Sequence, residues 1–271
     1  MAGSSSWEER HESASETFRA FVPGVDPERV AASFARRQGA LGSMAFDVVG
    51  AMWSRPQLNR RDRSLLVISA LAAQARDEEL ELHTGNGLRN GLKPEEIEEI
   101  LLHVAAYAGF PAAMASSRRV DKALAAAAGV EKLPAREPAA RKSDVERDRD
   151  GADVLRTITG WDASDPAAAL ERMESMLGEV GVVAYRWAFG EIWSREQLSR
   201  RDRSIVVIAI LVSLGALDEL AVHAGAGLRH GLTRVEVEEI VNHMSLYAGI
   251  PRAVEAMREV RKVIAKVDEG G

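Results

Sequence analysis

The stretch Arg76–Gly91, RDEELELHTGNGLRNG, returns in altered form at Gly215–Gly231 as GALDELAVHAGAGLRHG. Glu79 and His83 stand four residues apart in the first copy, and Glu219 and His223 fall on the same letters of the second. On a helix that spacing places both side chains on one face, a turn apart. A carboxylate beside an imidazole can orient the ring, raise its basicity and set its tautomer. The pair is therefore a candidate acid–base unit, weighed against a histidine that only packs in a helical core. Gly85 and Gly87, with Gly225 and Gly227 in the second copy, thin the helix face and leave room for a ligand or a neighbouring helix.

Working outward, the duplication extends through nearly all of each half. WSRPQLNRRDRS (Trp53–Ser64) becomes WSREQLSRRDRS (Trp193–Ser204) at an offset of 140, and PEEIEEILLHVAAYAGFP becomes RVEVEEIVNHMSLYAGIP. Upstream, Asp26-Pro27 matches Asp165-Pro166 with a slip of one residue. A unit of roughly 115 residues is too long for a solenoid repeat and right for a small domain. Asn59 and Ser199 are placed to cap the helices that carry the apolar runs, and Asp77 to cap the helix that carries His83. Pro94 opens a helix whose stripe is Ile97, Ile100, Leu101, Val104 and Ala108; Glu95, Glu96, Glu98 and Glu99 read as mostly surface. Thr233 and Glu236 form a capping box at the matching place. No stretch alternates convincingly with period two over strand length. The expected fold is all-α, two tandem copies of a small helical domain packed as a pseudo-twofold pair. The copies span 17–130 and 152–268, joined by a charged, proline-containing linker at 131–151, with a polar, frayed segment before about residue 16.

Composition narrows the function. With 271 residues, 46% of them hydrophobic, the chain can bury a sizeable core. A formal net charge of -6 argues against a general nucleic-acid binder. The absence of cysteine excludes thiol catalysis, disulfides and thiolate metal sites. The N-terminus lacks a signal-peptide pattern, and the longest apolar run, Ile205–Val212, is too short to span a bilayer, so a cytoplasmic protein without membrane association is expected.

Of the six histidines, four are matched between the copies: His83 with His223, and His103 with His243. His103 and His243 follow an apolar stripe and read first as core or interface. The Arg-Arg-Asp-Arg runs at 60–63 and 200–203 read most simply as solvated helix starts; the functional alternative turns one arginine inward to hold a substrate carboxylate. Glu79, His83 and His103 lack a tight metal-ligand spacing, so no metal is expected.

From Gly50 to Ser64, through Glu79-Leu-Glu-Leu-His83 and Leu88-Arg89-Asn90-Gly91 to Tyr107-Ala-Gly-Phe-Pro111, the text resembles the carboxymuconolactone decarboxylase family. The second half does so again from Gly190 to Ser204 and from Glu219 to Pro251. The family's hydroperoxidase branch places cysteines where this chain has Arg76 and Glu79, or Ala216 and Glu219, so a peroxidase is excluded. The other branch implies a cofactor-free decarboxylase of aromatic catabolism acting on a carboxylated lactone. It also implies a homo-oligomer; for a fused tandem, that would be a trimer of pseudo-dimers.

On this resemblance, His83 and His223 would be the acid–base groups, oriented by Glu79 and Glu219. Arg63, Arg203, Ser64, Ser204, His103 and His243 would contact the substrate. Two other readings stay open: a cofactor-free lyase, isomerase or cyclase on another carbonyl compound, and a non-catalytic helical binding or scaffold protein.

Overall fold

The computed structural model describes residues 6–270, and it divides into two compact units that meet in sequence at Arg63 and Ser64. Among the described residues every regular element is a helix.

In the first unit, α1 (Trp7–Phe21) begins at a capping box in which Ser6 and Glu9 each satisfy the other's backbone N–H. α2 (Pro27–Gln38) starts at Asp26, whose side chain accepts from the Glu28 N–H, with Pro27 in the first turn. α3 (Ala40–Trp53) packs on both. Gly50 is required there, since a Cβ would sit 2.2 Å from the Ala14 Cα. Phe18 stacks on Phe46 with ring centroids 4.6 Å apart, and Phe21 meets Trp53 edge-on at 4.7 Å. The segment expected to fray before residue 16 is thus helical from Trp7, because Ala14, Ser15 and Thr17 turn inward on it; residues 1–5 lie outside the described residues.

α4 (Arg60–Ala73) leads into the second unit, its first turn capped by the Asn59 side chain on the Asp62 N–H at 2.8 Å. Then follow α5 (Asp77–Arg89), α6 (Pro94–Tyr107) and α7 (Phe110–Ala128). Arg76, not Asp77, holds the cap position of α5, and Asp77 lies in its acidic first turn.

After an extended segment come α8 (Asp144–Thr159), α9 (Pro166–Leu177) and α10 (Glu179–Val183). A π-helical stretch at Ala184–Trp193 leads to α11 (Arg200–Leu214), α12 (Leu217–Arg229), α13 (Arg234–Met244) and α14 (Ile250–Gly270). Every residue of α11 from Asp202 to Ser213 is buried, as a helix apolar on all sides requires. α11 packs against α12 and α13 of its own copy and against α6 of the other.

The segment 131–151 is less of a free linker than its composition suggests. Arg136 ties it to Glu98 on α6 at 2.6 Å and to Asp121 on α7 at 2.7 Å. Its last residues form the start of α8, where Gly151, Ala152, Val154 and Leu155 are buried. α8 packs on the π-helical stretch as α1 packs on α3. A Cβ on Gly151 would stand 2.8 Å from the Tyr185 carbonyl oxygen, so glycine sets this close approach.

The π-helical stretch explains the one-residue slip in the repeat. Asp26 to Trp53 spans one residue fewer than Asp165 to Trp193, and α3 is regular where Ala184–Trp193 is π-helical. An extra residue in a helix is absorbed as a wider turn, which keeps the side chains before and after it in register.

Candidate active site

Glu99, His103 and Tyr107 follow one another at four-residue intervals on α6 and so line one face. Facing them is Arg203 of α11, whose side chain is 0% exposed. Its Nε donates to the Leu198 carbonyl at 3.1 Å and its Nη2 to the Arg195 carbonyl at 2.6 Å. Its Nη1 serves both Glu99 Oε2 at 3.1 Å and His103 Nε2 at 3.0 Å. Arg195 adds a bond from Nε to Glu99 Oε1 at 2.6 Å, so the buried carboxylate lies between two guanidinium groups. A guanidinium only donates. His103 Nε2 therefore accepts, and the ring carries its proton on Nδ1, a buried atom with no hydrogen-bond partner among the described residues. Burial, then the charge of Arg203, holds His103 well below the usual histidine range, so the ring is neutral.

A second chain of bonds starts at the indole of Trp193. Its Nε1–H donates to the Tyr107 hydroxyl at 2.9 Å, and that hydroxyl lies 3.2 Å from His223 Nε2 on α12. Indole can only donate, so the phenol oxygen accepts from it and passes its own proton toward His223. His223 then keeps its proton on Nδ1, which is buried and without a partner among the described residues. Burial lowers His223 to about 3, with His230 adding to the effect. Burial also raises the Tyr107 phenol well above its ordinary range; the Trp193 bond opposes this and the Glu219 charge adds to it. The Trp193 ring lies nearly parallel to His223 at 5.7 Å and meets His103 edge-on at 5.2 Å.

The cluster draws on both copies, because Tyr107 comes from the first and His223 from the second. The converse pair is also present: Tyr247 of the second copy meets the His83 ring at 5.7 Å and stacks on His243 at 5.6 Å. Burial lowers His83 to about 4.

The residues expected from the sequence divide three ways. His223, Arg203 and His103 come together around Trp193. Ser204 lies one layer behind, with Oγ 2.8 Å from His230 Nδ1, and Ser64 holds the corresponding place with Asn90 Nδ2 at 2.9 Å. Arg63 is fully buried and donates from Nη2 to the Arg55 carbonyl at 2.7 Å, the first-copy form of the Arg203–Arg195 bond.

Glu79 and Glu219 depart from the expected role. Both are exposed, and in the second copy it is the Tyr107 hydroxyl, not Glu219, that reaches His223 Nε2. Glu219 acts instead on Tyr107 by charge, while the Tyr107 hydroxyl takes the place beside His223. Arg63 and Arg203 are also not solvated helix starts, and Arg203 is bound to protein acceptors rather than left open for a substrate carboxylate.

Glu99, read as surface, is 2% exposed, and Glu239 is 1% exposed at the matching position. Their legible signal was the four-residue spacing Glu99–His103–Tyr107, repeated as Glu239–His243–Tyr247. Trp193 and Arg195 were missed as site residues although both stand in the repeated Trp-Ser-Arg word.

Glu99 and Arg195 also wall a cleft of about 330 Å³ with Leu102, Ala105, Phe110 and Met114. Among the described residues no group of three or more His, Asp or Glu side chains is placed to hold a metal ion.

The sequence model of the carboxymuconolactone decarboxylase family matches residues 40–123 and again 183–262. The chain belongs to the carboxymuconolactone decarboxylase family. Both matched segments contribute to the cluster, the first through α6 and the second through Trp193, α11 and α12. Over 121 residues the chain is 36% identical to a 4-carboxymuconolactone decarboxylase of Acinetobacter baylyi, covering 45% of this chain and 89% of that protein. A nitrosuccinic acid decarboxylase of Metarhizium robertsii is 35% identical over 85 residues, covering 31% of this chain and 59% of that protein. An uncharacterised 15.0 kDa protein of Paracoccus denitrificans is 28% identical over 102 residues, covering 37% of this chain and 76% of that protein. Two of these three family relatives are named for decarboxylation. Among the described residues no helix is long and apolar enough to cross a membrane.

Proposed function

We propose that the protein is a cofactor-free decarboxylase that removes carbon dioxide from a carbon attached to an electron-accepting group, with a carboxylated unsaturated lactone as the first substrate to test. The observation that carries this reading is the Trp193–Tyr107–His223 chain, which ends in a buried, neutral Nδ1–H without a partner among the described residues. The names of the two decarboxylase relatives support the same class, since a conjugated lactone carbonyl and a nitro group can each receive the electrons that carbon dioxide leaves behind.

In this mechanism the bond from carbon to the carboxylate breaks, its electron pair moves into the acceptor as an enolate-like oxyanion, and carbon dioxide departs. A proton then closes the carbon. His223 contributes as a neutral hydrogen-bond donor to the developing oxyanion rather than as an imidazolium, because burial keeps the ring uncharged near neutral pH. The Tyr107 bond fixes the tautomer this requires. Trp193 and the surrounding core exclude water, which favours loss of charge from the carboxylate. Arg203, itself held by Glu99, positions His103.

The test follows the ultraviolet absorbance of 4-carboxymuconolactone together with carbon dioxide release. The unaltered protein is expected to turn the lactone over, and His223→Ala to lose about 10²–10³-fold in kcat, the usual cost of an oxyanion donor. Lack of turnover by the unaltered protein, or full activity in a His83→Ala/His223→Ala double variant, would end this assignment.

A further inference from the structure

Where the first copy has Asn90, the second has His230, and the two make the same bond with different remainders. The Ser204 hydroxyl donates to the Arg200 carbonyl at 3.1 Å, so its oxygen accepts from His230 Nδ1–H at 2.8 Å. Asn90 Nδ2 likewise donates to Ser64 Oγ at 2.9 Å. The amide and the imidazole are thus interchangeable as donors to the serine. The imidazole alone then retains a basic nitrogen, Nε2, which is buried and bonds to nothing among the described residues. The His230 ring stands 5.8 Å from the Trp193 indole, the same ring that His223 meets at 5.7 Å and His103 at 5.2 Å. Three imidazoles therefore pack around one indole: among the described residues the Nδ1–H of His103 and of His223 and the Nε2 lone pair of His230 are buried without a hydrogen-bond partner.

We propose that His230 is a catalytic residue of this site: its Nε2 takes up a proton as an anionic substrate binds, then delivers that proton to the carbon from which carbon dioxide has left. The proposal rests on the decarboxylation reading above. The step balances without a further reactant. The substrate carboxylate and the His230 imidazolium together give carbon dioxide, a new carbon–hydrogen bond and neutral His230, which is reprotonated from water when the next anion binds.

The charged and titratable groups around His230 suit this cycle. Burial, then the charges of Arg200 at the start of α11 and Arg229 beside it on α12, lowers His230 to about 4, and the neighbouring ring of His223 is itself neutral. Arg200 is held by Asp153 and Thr157 of α8, and Arg229 by the carbonyls of Thr157 and Ile158. At rest His230 is neutral, so the site carries no imidazolium until a carboxylate arrives to offset the arginine charges. The tandem thereby has one site equipped to return a proton and one, on the Asn90 side, that lacks this group.

The test compares His230→Asn and His230→Ala with the unaltered protein, using both turnover and nitrogen-15 NMR of the histidine rings. His230→Asn restores the first copy's own donor, so it is expected to melt within about 2 °C of the unaltered protein, while kcat on 4-carboxymuconolactone falls about 10²-fold and KM changes little. His230→Ala should lose the same activity and also melt earlier, because Ser204 loses its donor. The NMR probe is 5-oxotetrahydrofuran-2-carboxylate, a saturated carboxylated lactone with no ring double bond to receive the electrons. The resting His230 ring should show its proton on Nδ1 at pH 7 and become doubly protonated as the probe saturates the site. If the unaltered protein fails to turn over the lactone, the decarboxylation reading fails while the NMR result still decides the proton uptake. Unchanged kcat in His230→Asn, or a His230 ring that stays neutral at high probe concentration, overturns the proposal.

Discussion

Replacing Arg203 by Met tests whether the buried guanidinium holds the two copies together. Methionine keeps the apolar stem but removes the donors to Leu198 O, Arg195 O, His103 Nε2 and Glu99 Oε2. Glu99 keeps its 2.6 Å bond from Arg195, so it is not left wholly unpaired, and the loss belongs at the low end of the roughly 3–5 kcal/mol for breaking a buried ion pair. Buried acceptors left without a donor add about 1 kcal/mol or more. The expected total is on the order of 4 kcal/mol, which for a unit of this size lowers Tm by about 8–16 °C. Urea unfolding and calorimetry measure both quantities. Arg261→Met is the control: its partner Glu238 lies at 2.8 Å, but Arg261 is 66% exposed and the pair is worth at most about 1 kcal/mol. If Arg203→Met costs no more than this control, the reasoning about the buried crosslink is refuted.

Two further outcomes follow from the same cluster. Stability should fall between about pH 6.5 and pH 3. His223, His83 and His230 titrate lower in the folded chain than in the unfolded one, so the unfolded state binds more protons in that window; their contribution is complete above pH 6.5 and is lost as pH falls toward the folded values of about 3 to 4. His223 alone supplies at most about 4–5 kcal/mol of this slope, so His223→Gln should flatten the dependence of urea midpoint on pH, and an unchanged slope would contradict it. Tyr107→Phe removes the acceptor of Trp193 and the hydroxyl that fixes the His223 tautomer. It is expected to lower kcat about 10-fold or more while costing about 1–2 kcal/mol of stability, and a variant with full kcat would show that the tautomer is set otherwise.

The sequence carried the fold class and much of the local detail because both rest on short-range chemistry. Asn59, Ser199 and Thr233 cap the helices they were expected to cap, and the apolar runs at Leu65 and Ile205 are the buried helices their composition requires. The repeat alone determined that one helical design was used twice, and the absence of cysteine determined which branch of the family chemistry is closed.

Partner choice depended on the tertiary structure. Four-residue spacing put Glu219 and His223 on one face of a helix, but the exposed carboxylate gains little by leaving water for a ring that burial keeps neutral. The Tyr107 hydroxyl reaches His223 from the other copy instead. The Glu99 carboxylate reads like its neighbours among the glutamates at 95–99, and only the crossing of α6 with α11 brings Arg203 and Arg195 onto it. Periodicity fixes which residues share a face. The packing of one copy against the other decides which faces meet, and thereby which histidines are left with a proton to donate.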